Sequence, residues 1–173
     1  MRVKSKNIKI GDILEIDEKN RTPADIVLLS YNSTKNYCFI DTSNLDGEKT
    51  LKPKISVLES NISESEIVQL KDIQLEYWEN DENLSNFKGN IKIKREKNRL
   101  DINNFIPRSA MIRNTTKIYG LVVYVGENTK LILNLQRRIF KKSTLDKKLN
   151  KYIIYIMIVL VPLLIILSII AII

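Results

Sequence analysis

The chain has 173 residues, no histidine, a single cysteine and a formal charge of +8. That length suits about one domain of roughly 100–200 residues, and the inventory removes an internal disulfide, a histidine-based zinc site and a Ser-His-Asp triad. Nucleic acid is the weaker reading of the charge, because Arg137, Arg138, Lys141, Lys142, Lys147, Lys148 and Lys151 against Asp146 place +6 of it beside a C-terminal apolar run.

Met1 opens a basic, polar segment in which no secretory signal is visible. Ile8 and Ile10, then Ile13-Leu14-Glu15-Ile16, flank a Gly11-Asp12 turn and predict short strands. Pro23-Ala24-Asp25 leads into Ile26-Val27-Leu28-Leu29, a continuous apolar run expected of a strand buried on both faces. A turn or capping role is sufficient for Asp25. Asn32 to Asn36 reads as a polar hairpin-like loop, and Tyr37-Cys38-Phe39-Ile40 as the strand returning from it, with Cys38 a small buried hydrophobe. This strand delivers Asp41-Thr42-Ser43-Asn44-Leu45-Asp46-Gly47-Glu48. Pro53 stops a helix from continuing and favours an exposed chain reversal.

Acidic and amide residues dominate from Glu59 to Asn86, where Val68, Leu70 and Ile73-Gln74-Leu75 read either as an edge strand or as a loose amphipathic piece. Phe87 to Lys94 alternates apolar and basic residues like a half-solvated strand, and Arg95 to Asn104 reads as a charged loop. Ile118 to Val125 is a β-branched and aromatic strand closed by Gly126, and Leu131, Leu135 and Ile139 recur four apart on one face of a helix. Tyr152 to Ile173 carries no charge; these 22 residues span about 33 Å as a helix, enough for a bilayer core of about 30 Å. Pro162 is tolerable in a membrane helix, as a packing kink or as a mark of a moving one. The basic residues before the span predict that 1–151 is cytoplasmic and 152–173 lies in the bilayer. The stop at Ile173, with no polar exit, suggests a truncation; a genuine tail anchor looks the same.

An ordered series of motifs along this pattern resembles the actuator domain of P-type ATPases, in the version found in lipid flippases (the P4 class). Leu45-Asp46-Gly47-Glu48, with Leu51-Lys52 after it, looks like the family signature. Ile10-Gly11-Asp12-Ile13, Pro23 to Ser30, Phe87-Lys88-Gly89, Met111 to Thr115, and Gly120 to Lys130 with Asn134 resemble its other blocks in order. Lys142-Ser143-Thr144-Leu145-Asp146 is similar to the approach to the third membrane helix of that family. The family usually reads D-G-E-T-N-L-K, whereas here Lys49 follows Glu48 and Thr50 comes one place later.

The resemblance implies a mainly β, distorted antiparallel, jelly-roll-like actuator domain over 1–136, with a polar, variable segment at 59–104. It is followed by a basic juxtamembrane linker at 137–151 and a transmembrane helix at 152–173. It implies that Glu48 positions the water that removes phosphate from an aspartyl phosphate formed in a separate phosphorylation domain. Gly47 lets backbone approach the phosphate; Asp46, Thr42 and Ser43 shape the loop; Lys49 and Thr50 flank it. Lys49 is expected to face solvent, and Lys52, though able to reach phosphate, defaults to solvent as well. ATP and Mg2+ are implied for the full-length protein only, because no D-K-T-G-T motif and no recognisable nucleotide-binding segment occur here. No metal site is expected in this stretch. Membrane phospholipid and an accessory subunit are the implied partners. The alternatives are a non-pumping regulatory module of a fused or associated membrane enzyme, favoured by Lys49, and a tail-anchored binding module that uses its basic collar.

Overall fold

The computed structural model describes residues 7–33, 37–70, 73–78, 83, 86–140 and 144–172. Expectations for the tip of the 32–36 loop, for the first six residues, for Lys141, Lys142 and Ser143, and for Ile173 lie outside these. The chain divides into two compact units, Met1–Gln136 and Arg137–Ile173.

The centre of the first unit is a four-stranded sheet. Strands β1 (Ile13–Asp17), β10 (Lys117–Tyr124), β2 (Asp25–Asn32) and β8 (Phe105–Ile106) lie side by side in that order, all antiparallel. Successive side chains of a strand point to opposite faces, and β2 shows what this does with an unbroken apolar run. Ile26 and Leu28 enter one core cluster with Cys38, Ile40 and Ile112, while Val27 and Leu29 enter another with Ile91, Ile93 and Leu100. All four are fully buried. The expected double-faced strand is present, and two further sheets supply its two covers.

On one side, β4 (Lys52–Lys54), β3 (Cys38–Asp41) and β9 (Met111–Arg113) form a three-stranded antiparallel sheet with β3 in the middle. On the other, β5 (Ile73–Tyr77), β6 (Gly89–Ile93) and β7 (Glu96–Leu100) form a second. Gly120 in β10 permits the close packing of the central layer: a β-carbon there would overlap the Ile26 side chain. The mainly antiparallel β architecture expected from the sequence is the one observed.

Three local readings are refined. The acidic tract contains a short helix, α2 (Glu64–Val68), opened by a capping box in which Ser63 and Glu66 satisfy each other's backbone N–H groups. Of the two options for Ile73-Gln74-Leu75, the edge strand is correct. The stretch Arg95 to Asn104 is not wholly a loop: its first half is β7, turned back on β6 through Lys94-Arg95, with Leu100 buried and Glu96, Lys97 and Arg99 exposed. Dense charge hid one buried position on an otherwise solvated strand.

Helix α3 (Lys130–Phe140) follows β10 through a 3-10 turn at Gly126–Asn128. In the second unit, α4 (Thr144–Ile172) runs unbroken past Pro162. Its stretch Lys148–Ala171 is long and apolar enough to cross a membrane, and the Lys151 ammonium lies 6.0 Å from the centre of the Tyr155 ring.

Candidate functional site

The signature loop hangs from a buried strand. Cys38 and Ile40 of β3 are fully buried or nearly so, which fixes where Asp41 emerges. Burial also pushes the Cys38 thiol up to about 11, so it stays a protonated core group. Asp41 Oδ1 accepts from the Ser43 N–H at 3.0 Å and from the Ser43 hydroxyl at 2.7 Å, and Oδ2 accepts from Arg113 Nη2 at 3.3 Å. The Ser43 hydroxyl and N–H, with a lesser contribution from the Arg113 guanidinium, hold the Asp41 carboxyl below the usual carboxylate range against desolvation.

The chain then makes a single helical turn, α1 (Ser43–Asp46). The Leu45 and Asp46 N–H groups donate to Thr42 O at 2.8 and 3.2 Å, and the Gly47 N–H donates to Ser43 O at 3.1 Å. Gly47 closes this turn at φ +79°, a left-handed conformation that a side chain disfavours. Asp46 Oδ1 then accepts the Glu48 N–H at 3.0 Å, and Oδ2 accepts from the Thr42 hydroxyl at 2.9 Å. Asn44 Nδ2 donates to Ser109 O at 3.2 Å, tying the turn to the segment before β9.

Glu48 projects from the end of this frame with its side chain 59% exposed. Lys52, at the start of β4, sets its ammonium 2.6 Å from Asp46 Oδ2 and 3.0 Å from Glu48 Oε2. Desolvation pushes the Asp46 carboxyl up, but bonds from Lys52, the Glu48 N–H and Thr42 outweigh it and hold the group below its ordinary value. The same pairing outweighs desolvation of Lys52 and raises the ammonium. The arrangement is an outward-facing carboxylate with a fixed backbone and a cation beside it.

The sequence-derived residues therefore separate into two groups. Thr42, Ser43, Asp46, Gly47 and Glu48 are brought together by the turn; Lys49 and Thr50 are exposed beyond it. Lys52 corrects an expectation: it bridges two carboxylates instead of pointing to water, because β4 returns antiparallel to β3 and delivers it over the loop. The i, i+4 spacing of Glu48 and Lys52 was the available signal. Arg113 went unnoticed because its link to Asp41 depends on the pairing of β3 with β9. Asp25, for which a turn or capping role is expected, is fully buried and bonds the first N–H of α3 and the Arg108 N–H, both far from it in sequence.

Among the described residues no group of three or more His, Cys, Asp or Glu side chains is arranged to hold a metal, and the carboxylates of the loop already face Lys52. Among the described residues, the carboxylates of the loop therefore do not fit Mg2+.

Residues 1–132 match the family model of the P-type ATPase actuator domain. The chain is 35% identical over 158 residues to "Probable phospholipid-transporting ATPase 12" of Arabidopsis thaliana, covering 90% of this chain and 13% of that protein. It is 33% identical to "Phospholipid-transporting ATPase tat-1" of Caenorhabditis elegans, over 91% of this chain and 14% of that protein. It is also 34% identical to "Phospholipid-transporting ATPase DNF2" of Saccharomyces cerevisiae, over 84% of this chain and 9% of that protein. The chain thus spans well under a fifth of the length of these curated relatives.

Proposed function

Because this chain belongs to the P-type ATPase actuator-domain family, we propose that it is the dephosphorylating module of a phospholipid-transporting P-type ATPase, with residues 1–136 as the actuator, 137–151 as a basic linker and 152–173 as a membrane helix. The observation that carries the reading is the exposed Glu48 side chain at the end of a turn whose backbone is otherwise hydrogen-bonded.

In this reading the Glu48 carboxylate accepts a hydrogen bond from a water and takes its proton as the water oxygen attacks phosphorus. The bond from phosphorus to the aspartyl oxygen breaks, giving inorganic phosphate and a free carboxylate on the phosphorylation domain. Bringing one anion to another is repulsive, and Lys52 offsets this by standing next to the acid that must approach. Gly47 leaves room for the phosphoryl oxygens. ATP and Mg2+ belong to parts of the longer protein, where they supply the phosphoryl group and screen its charge. Phospholipid is the transported substrate by analogy with the named relatives, and an accessory subunit is a further partner in the same analogy. The 1–151 segment is cytoplasmic, and α4 carries the actuator's motion into the bilayer.

The test is uptake of a fluorescent phospholipid by cells making the longer protein with Glu48→Gln. Uptake at background supports the proposal; wild-type uptake defeats it. Lys49, which stands beside Glu48 in place of the usual threonine, favours the second reading of a non-pumping regulatory module. That reading predicts no lipid uptake by the wild-type protein itself.

A further inference from the structure

Among the described residues, Asp25 is the most completely buried carboxylate that the proposed chemistry does not use. It opens β2, shows no exposed surface, and uses both oxygens on backbone from distant segments. Oδ1 accepts the Arg108 N–H at 2.6 Å, and Oδ2 accepts the Lys130 N–H at 2.7 Å. Lys130 is the first residue of α3 and is itself buried. A second contact ties the same places together. Gly126 O, just before α3, accepts from both Arg108 Nη1 at 3.2 Å and the Thr129 hydroxyl at 2.9 Å.

We propose that Asp25 is a positioning residue whose carboxylate staples the first turn of α3 to the central sheet and to the segment after β8, so that a movement of the unit bearing Glu48 carries the start of this helix with it. The coupling half of this rests on the function proposed above. The staple half stands on geometry alone.

The chemistry demands a carboxylate. Two N–H donors from separate segments need two acceptors on one short side chain, and a negative charge suits a helix start. Asparagine supplies one acceptor and faces the other N–H with its own donor. Burial is the largest influence on Asp25 and raises its carboxyl to about 6, opposed by the two N–H bonds and by the charges of Lys130 and Arg108. Those are the cations facing it. Tyr124, opposite on β10, sends its hydroxyl to Trp78 O, and Glu127 in the 3-10 turn is exposed. Burial makes ionisation costlier than in water, yet with the carboxyl near 6 the group is mostly ionised at neutrality, in the form that accepts both N–H groups and so places two backbone segments.

Amide NMR on the 173-residue chain in detergent micelles tests the staple. The Arg108 and Lys130 amide resonances should titrate together with a common midpoint of about 6, a readout that needs no variant to fold. Asp25→Asn should abolish that titration and speed exchange of one of the two amides by roughly tenfold or more. Separate or absent titration, or an Asp25→Asn chain with both amides exchanging at wild-type rates, overturns the assignment. Coupling is read in the longer protein: Asp25→Asn should leave decay of its phosphorylated intermediate unchanged and lower phospholipid uptake several-fold. Wild-type uptake overturns the coupling. If Glu48→Gln also transports normally, the proposed function has failed instead, and the amide titration alone decides the staple.

Discussion

The N–H of Glu48 is held by Asp46 while its exposed carboxylate meets, among the described residues, only Lys52, so backbone and side chain are secured to different degrees. An exposed ion pair contributes about 0–1 kcal/mol. The Lys52–Glu48 contact is therefore weak enough for the exchange with a phosphoryl group that the proposed function needs, whereas the turn beneath it has several bonds to lose. Asp46→Ala removes the acceptor of three of them and should cost about 1–2 kcal/mol in urea unfolding. Gly47→Ala should cost about 1–2 kcal/mol, because its φ of +79° puts a β-carbon into the left-handed region. Wild-type stability in both variants would mean that the turn is not the frame described here. The turn chemistry of Thr42, Ser43 and Asp46 was readable from sequence because such bonds span two to four residues. Of the Lys52 bridge only the i, i+4 spacing to Glu48 was readable; its second bond, to Asp46, needs β4 to fold back along β3.

Among the elements, β2 shows how one strand organises three sheets. Leu28 and Leu29 are adjacent in sequence but lie in different clusters, and both are fully buried. Leu28→Ala and Leu29→Ala should therefore each destabilise the chain by about 2–5 kcal/mol. A strand with one solvated face would show the loss at only one of them, and thermal unfolding of the two variants separates these outcomes. The double-faced burial was legible because nothing polar interrupts Ile26 to Leu29. The β7 strand was not, because its buried anchor, Leu100, is a single apolar residue at the end of a charged run. The helical form of the α1 turn was not legible for a related reason: four residues are too few to display a helical period.

Across the whole molecule, Asp25 gives a pH signature of folding. Its carboxyl is raised from 3.8 to about 6, so between these values the folded chain holds a proton that the unfolded chain has released. The stability it contributes is complete below about pH 4 and is lost as pH rises through 6, a fall of about 1 kcal/mol between roughly pH 5 and pH 7. Asp41, Asp46 and Glu66 are shifted downward and act in the opposite sense at lower pH. Urea melts across that window should show the fall in wild type and not in Asp25→Asn; equal slopes in the two chains would remove Asp25 as its source. The decisive measurement concerns Glu48 in the longer protein: the rate at which its phosphorylated intermediate decays once phosphorylation is stopped. Glu48→Gln should slow that decay by roughly 100-fold or more, and a rate equal to wild type would contradict the account.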